Sequence, residues 1–453
     1  AVQKNLERCD IAYSDIDDAF PALSRSLFCY DPSMNLVAFT TRTGATLANA
    51  DWILHHVNLQ AHDVRETIAF FGDVAGMTEG KWIAPPEMGD FSIDPNELAV
   101  LTLGEENRGL HNLSGAFRCT APLGGNALSQ HGPIRVSRDR THFVHEDSTP
   151  FFWMADTAWS GPLKSNEFDW KHYLSERKRQ GFTAVQWVAT SWRGAPDGDA
   201  DGNKAFDGKE KISINPEFFQ RLDRRVEAIN NAGLLSVPVL LWAISGDENP
   251  VNFLPDDQAI LLARYMVARW GATYGAWFLG GDGDYSGTRA ARWRTLGQAV
   301  FGGGRHFPVF MHPKGKSWVF EEFRDEKWMT ALGYQSGHDV NDATNNWIHH
   351  GPASRDWAKL PHRPVINIEP AYEGQNSYSK KQPISAHEVR RALYWSLLST
   401  PTAGVSYGAA GVWGWDAGDA PTPGHPNAGT PPAWRDALNF DAGEQVAHLS
   451  ALF

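Results

Sequence analysis

The stretch A-W-F-L-G-G-D-G-D-Y (Ala276–Tyr285) decides how the chain is read. Ala276, Trp277, Phe278 and Leu279 form an apolar run of strand length, which two glycines cut off before a carboxylate, Asp282. A parallel strand buried on both faces has this character, continuously apolar and stopped by turn residues. The pattern returns later as P-V-I-N-I-E-P (Pro364–Pro370), an apolar strand ending in Glu369. Two carboxylates at the carboxyl ends of two parallel strands are the minimal apparatus for splitting a glycosidic bond.

Working outward from these two strands, strand and helix patterns alternate from Pro150 onward. Phe151–Ala155 and Phe182–Val188 read as the first two strands and Leu234–Trp242 as the third. The strand carrying Asp282 is the fourth, Phe307–Met311 the fifth, Ala331–Gln335 the sixth and Val365–Ile368 the seventh. Either Gly404–Tyr407 or Val412–Trp415 supplies the eighth.

The intervening helices carry their own boundary signals. Asn166 caps one whose inner face is Trp170, Tyr173, Leu174 and Arg177, stopped at Gly181. Asn215-Pro216 opens another, with Phe219, Leu222, Val226 and Ile229 inward and Gly233 as its end. A third presents Ile260, Ala263, Val267 and Trp270, and Arg289–Phe301 is helical. Ser385 and Glu388 form a capping box before Val389–Leu398. Trp434–Leu452, beyond the Pro/Gly-rich loop Asp419–Pro432, is the expected closing helix. Eight such units predict a (β/α)8 TIM barrel over residues 133–453. A doubly wound open sheet is the alternative, but no G-x-G-x-x-G opens a helix after the first strand.

Residues 1–132 differ from the rest. Short β-favouring runs (Leu36–Thr41, Leu98–Leu103, Gly115–Cys119) between Gly, Pro and Asn clusters predict a smaller β-rich, sandwich-like domain. Ala121–Gly132 reads as a linker, and Ile134–Val136 with His142–Val144 as a hairpin leading into the barrel.

A formal net charge of −12 in 453 residues argues against nucleic acid or an anionic membrane surface as partner. No stretch approaches the roughly 20 apolar residues of a membrane span. Cys9, Cys29 and Cys119 lack metal-ligand spacing. Cys9 with Cys29 is the simplest disulfide and leaves an odd thiol; three unpaired cysteines fit equally. Asn112-Leu113-Ser114 is a glycosylation sequon of little weight. Oligomeric state is not legible. Glycan-degrading chemistry places the chain outside the cytoplasm, periplasmic or secreted, although no leader pattern is visible.

In a barrel of this kind functional side chains gather just past the carboxyl ends of the strands. Taken in order, those positions hold Asp156 and Trp159, Gln186 and Trp187, Trp192, Trp242 and Asp282. His312, Gln335 and His338 follow, then Glu369, Tyr372 and Glu373, and lastly Trp413. Indoles for the flat CH faces of a sugar and polar groups for its hydroxyls suit a carbohydrate ligand. Glu369 is expected to act as nucleophile and Asp282 as acid/base, with their pKa values pushed apart. A retaining reaction follows if the carboxylates lie about 5–5.5 Å apart, inversion if about 6.5–9.5 Å.

No cofactor or metal is expected. Asp197, Asp199, Asp201 and Gly202 open a calcium-loop pattern, but its twelfth position is Gly208 rather than Glu. The pair His349-His350 has no third ligand at a useful spacing. Two other classes remain: a carbohydrate-binding barrel without catalysis, and a lyase or aldolase, for which Lys314 is the only lysine near a strand end.

Several blocks resemble the apiosidase-like glycoside hydrolases. They are F-F-W-M-A-D-T-A-W (Phe151–Trp159), Q-G-F-T-A-V-Q-W (Gln180–Trp187) and W-F-L-G-G-D (Trp277–Asp282). Y-Q-S-G-H-D (Tyr334–Asp339), P-V-I-N-I-E-P-A-Y-E-G (Pro364–Gly374) and S-Y-G-A-A-G-V-W (Ser406–Trp413) complete the match in order. The resemblance implies a glycan-active barrel with the Asp of G-G-D and the seventh-strand Glu as its catalytic pair, here Asp282 and Glu369. The family's characterised activity, release of the branched furanose apiose from pectic side chains, implies an exo-acting furanosidase of polysaccharide degradation. Relatives often continue into a C-terminal β-domain where this sequence stops at Phe453, and the N-terminal region lies outside the match.

Overall fold

A computed structural model of the chain describes residues 125–452 except 245, 247, 248, 304 and 305, together with Glu7 and the backbone of three strands nearer the N-terminus. Those strands, Tyr13–Phe20, Leu23–Tyr30 and Leu36–Arg42, pair antiparallel in sequence order, with Tyr13 opposite Cys29 and Leu27 opposite Phe39. The expected strands Leu98–Leu103 and Gly115–Cys119, the sequon, and the side chains of the three cysteines lie outside the described residues. The chain divides into two compact units, Ala1–Glu97 with Leu101–Ala121, and Pro122–Phe453 with Leu98–Val100.

The second unit is the barrel. Its strands are β1 (Trp153–Thr157), β2 (Ala184–Val188), β3 (Leu235–Trp242) and β4 (Trp277–Gly281). They continue as β5 (Val309–Phe310), β6 (Leu332–Gln335), β7 (Val365–Glu369) and β8 (Gly404–Tyr407). The eight form one parallel sheet in the order β5-β4-β3-β2-β1-β8-β7-β6. The seam between β5 and β6 is bridged just ahead of β6, where Thr330 and Ala331 both donate to the Val309 carbonyl at 3.1 and 3.2 Å. Every residue of β3 is buried, as an apolar run covered on both faces requires. A short hairpin precedes the barrel (Ile134–Val136 with Phe143–His145).

The helices start where their caps predict. The Asn166 side chain accepts from the Asp169 N–H at the head of α1 (Glu167–Arg179), whose buried face is Trp170, Tyr173, Leu174 and Arg177. Asn215 caps α2 (Pro216–Asn231), which buries the expected four residues and Phe218 and Arg225 besides. In α3 (Asp256–Trp270) the buried face is Ala259, Leu262, Ala263, Met266 and Trp270, so Ile260 and Val267 sit on its flank instead. The sequence there is apolar around more than half its circumference, and periodicity admits two faces. α4 spans Thr288–Phe301, α5 Asp342–His350 and α6 Ala386–Leu398, the last behind the complete Ser385–Glu388 capping box.

Two expected elements differ. Between β5 and β6 no α-helix occurs among the described residues, and turns bearing the buried Val319, Phe320 and Phe323 cover the barrel instead. The single closing helix is three short ones, Trp434–Ala437, Asp441–Gln445 and Ala447–Leu452. The break is set by a distant carboxylate: Glu373 accepts from the N–H groups of Ala442 and Gly443, which fixes a new helix start there.

Asp156, on β1, belongs to this scaffold. Its Oδ2 accepts from Arg177 Nε and from Tyr173 Oη, both at 2.7 Å, and acid and guanidinium are fully buried. Burial raises the Asp156 pKa, opposed by Arg177 and Tyr173. Removing one member strands the other charge in the core, so Asp156→Ala should lower the unfolding free energy by about 3–5 kcal/mol. Equilibrium urea unfolding checks it, and a loss below about 1 kcal/mol would contradict the structural role.

Candidate active site

The G-G-D-G turn after β4 explains its own composition. A Cβ on Gly281 would stand 2.4 Å from the Trp242 ring, and one on Gly283 would stand 2.4 Å from Tyr285. Only glycine lets these rings close over the backbone. Asp282 itself takes φ 48°, a left-handed conformation that Asp tolerates better than most side chains. Its N–H donates to His312 Nδ1 at 3.2 Å, while His312 N–H donates to the Gly280 carbonyl and Gly283 N–H to that of His312. The β4 and β5 ends thus interlock around Asp282.

Because His312 Nδ1 accepts a hydrogen bond, the ring proton sits on Nε2, which faces Glu369 Oε2 at 3.0 Å. His338 Nε2 lies 2.7 Å from the other oxygen, Oε1. Glu369 reaches this place through a bulge. Tyr334 pairs with Asn367 but Gln335 pairs with Glu369, so β7 spends two residues where β6 spends one. Asn367 bonds Ser396 of α6 and faces the helix layer. By strict alternation Glu369 would face that way too, and the extra residue turns it into the barrel mouth.

The two carboxylates sit in opposite environments. Burial pushes Asp282 up to about 6, with the Glu369 charge adding to it and Arg193 opposing. Burial pushes Glu369 up as well, but the hydrogen bonds from His312 and His338 outweigh it and hold the group well below the usual carboxylate range. One acid is protonated and the other ionised in mildly acidic solution, the division of labour that glycosidic cleavage requires.

A closed circuit of side-chain contacts runs through Glu369. Trp159 packs on Trp242 (5.3 Å between centroids), Trp242 on Trp192 (4.6 Å), and Trp192 on His425 (5.5 Å). His425 packs on Trp413 (4.7 Å), Trp413 on Tyr372 (6.4 Å), and Tyr372 on His338 (4.3 Å). Glu369 and His312 link His338 back to Trp159, whose indole lies 5.3 Å from the His312 ring. Trp192 Nε1, Trp242 Nε1, Arg193 Nε and His338 Nδ1 are buried without a protein partner. Orphaned polar atoms cost about 1–3 kcal/mol each, which a polyhydroxy ligand among them would recover.

The expected site residues divide by where their side chains point. Asp282, Glu369, His312, His338, Trp159, Trp192, Trp242, Tyr372 and Trp413 come together here. Trp187 turns outward, donating to Ser236 Oγ and packing on Trp270 of α3. Gln186 lies inside the barrel with its amide engaged by Thr157, the Ile368 carbonyl and Ser406. Asp156 and Glu373 serve the scaffold, Glu373 also accepting from Tyr407 Oη at 2.6 Å. Gln335 is buried at the end of β6 with its Oε1 toward Gly315.

Two residues of the site escaped the sequence. Arg193 reaches Asp282 Oδ2 at 3.2 Å from the loop after β2. His425 comes from the loop after β8 and is held neutral by burial and by Arg193, its pKa lowered to about 3. Neither sits at a strand end; the only local signal was an arginine beside Trp192.

The other sequence candidates find partners elsewhere. Asp199 accepts from the N–H groups of Asp201 and Asn203 and faces Arg221, and Lys314 pairs with Asp284 at 2.9 Å. Among the described residues no group of three or more side chains is placed to hold a metal ion.

A (β/α)8 barrel with two strand-end carboxylates in opposite environments beside a run of aromatic side chains is an arrangement that suits a glycoside hydrolase. The family model for the apiosidase-like catalytic domain matches residues 137–453, and the chain belongs to that family and is a glycosidase. Its fold is shared with a solved glycoside hydrolase at 24% identity (TM-score 0.64, covering 73% of this chain and 76% of that one). A family 5 glycoside hydrolase from Bacteroides vulgatus ATCC 8482 has it too, at 22% identity (TM-score 0.63, covering 71% and 72%). No curated protein matches the sequence.

Proposed function

We propose that the chain removes a terminal sugar, in furanoside form, from a plant or microbial glycan with retention at the anomeric carbon. Glu369 attacks the anomeric carbon, and Asp282 protonates the leaving oxygen and then deprotonates the incoming water. The observation that carries this reading is the shared imidazole of His312, which meets the Asp282 backbone through one nitrogen and the Glu369 carboxylate through the other. Ends of the fourth and seventh strands face one another across a barrel mouth, which favours the shorter, retaining separation. Glycans of this kind are met outside the cytoplasm, so a periplasmic or secreted location accompanies the proposal.

The test is a panel of aryl furanosides and pyranosides, apiosides included, with the anomer first released read by proton NMR. Release of the inverted anomer contradicts retention, and no release from any member by folded protein contradicts the activity.

The pH dependence has a definite sign. Asp282 must carry its proton to act as acid and does so below about 6. Glu369 must be ionised, which holds well below that range. We expect kcat/KM to be highest in mildly acidic buffer and to fall as pH rises through about 6, each further unit costing about tenfold. A profile rising from pH 6 to 8 excludes the assignment.

A further inference from the structure

Arg193 presents an apparent conflict. An acid that must hold a proton is in contact with a guanidinium that favours its loss, Arg193 Nη2 lying 3.2 Å from Asp282 Oδ2. The arginine is not a loose surface group. Its N–H donates to the Asn249 side chain, itself fully buried and anchored on the Ile244 carbonyl. Gly424 packs so tightly on the Arg193 backbone that a Cβ there would stand 2.9 Å from its carbonyl oxygen. The side chain is about one-fifth exposed (21%), and its Nε is buried with no protein partner.

We propose that Arg193 is a positioning residue of the reaction, clamping the ionised Asp282 carboxylate in the orientation it needs as a base and releasing it when Asp282 carries its proton. This rests on the acid/base role of Asp282 given above. In a retaining cycle Asp282 works in two states. As acid it needs its proton turned toward the leaving oxygen, and as base it must hold a fixed lone pair toward water. A contact that exists only for the ionised state stabilises the second without fixing the first. With one Nη on Asp282, the guanidinium keeps Nε for a substrate hydroxyl.

The groups facing Asp282 set how large the effect is. Glu369 from β7 pushes its pKa up, while Arg193, His312 and His338 pull it down. Tyr285 on its own turn, and Tyr372 and Tyr378 beyond β7, sense the Asp282 charge, and His425 lies near Arg193. Arg193 is the strongest of the groups opposing the proton.

Titration of [γ-13C]aspartate-labelled protein tests this without any substrate, the Asp282 signal being assigned by its loss in D282N. An opposite charge in contact is worth about 1–3 units, so Arg193→Gln is expected to raise the Asp282 midpoint by about one unit. The alkaline limb of kcat/KM should move up with it, and Arg193→Lys should return both most of the way. Should R193Q lose its native fold, Arg193→Met keeps the aliphatic stem without the charge and is expected to give the same shift. An unmoved midpoint in the folded charge-removing variant overturns the clamp and leaves the acid/base reading standing. A moved midpoint in a protein whose D282N variant keeps full turnover removes Asp282 from the chemistry, and with it the positioning role.

Discussion

Glu369→Gln should leave the barrel folded and lower kcat by more than about 10⁴-fold, the scale on which loss of an essential nucleophile is measured. Both carboxylate oxygens have imidazole partners, His338 at 2.7 Å and His312 at 3.0 Å. An amide keeps one acceptor oxygen and turns an N–H₂ toward the other ring, so it fits the volume but neither the charge nor both contacts. Without the carboxylate no glycosyl-enzyme forms. In Glu369→Ala, which vacates the space of the carboxylate, added azide should restore turnover of an activated aryl glycoside by attacking the sugar directly, giving a glycosyl azide of inverted configuration. Thermal unfolding separates this from misfolding. A folded variant keeping more than about a hundredth of wild-type kcat would remove Glu369 as nucleophile.

Asp282→Asn is the second large effect. Asparagine adopts the left-handed backbone at φ 48° as readily as aspartate, so the turn should survive and only proton transfer be lost. General acid–base catalysis is worth about 10²–10⁴-fold, and that is the loss expected on substrates whose leaving group needs protonation. With a dinitrophenyl leaving group the first step needs no acid, and an initial burst of phenol should persist while its steady-state rate falls. The fall in kcat/KM near pH 6 should vanish with the carboxyl group. The loss of turnover separates this reading from a barrel that only binds sugar, in which D282N would barely alter ligand affinity. In such a barrel D282N would alter nothing that turnover could report.

Much of the scaffold was legible in advance because its signals are local. An apolar run between glycines marks a buried strand wherever it occurs, and Asn166, Asn215 and Ser385 cap helices through atoms within three residues of themselves. The same reasoning misplaced the inner face of α3, where Ile260 and Val267 gave way to Leu262 and Met266. It also drew one closing helix where Glu373, many residues upstream, imposes a break. Apolar pattern is blind to a capping carboxylate supplied from another part of the fold.

The site was legible only as a set of addresses. Asp156 and Trp187 occupy strand positions as promising as those of Asp282 and Glu369, yet both face outward, because each step along a strand reverses the side chain. What the sequence by itself determined is the barrel and the two strand ends that deliver carboxylates, since hydrophobic period and turn chemistry are written residue by residue. Only the tertiary structure decided which side chains share the mouth. The bulge that swings Glu369 inward is a matter of register between strands, and the loops that bring Arg193 onto Asp282 and His425 between Trp192 and Trp413 are aimed by packing on distant partners. Neither kind of information resides in any short segment of the chain.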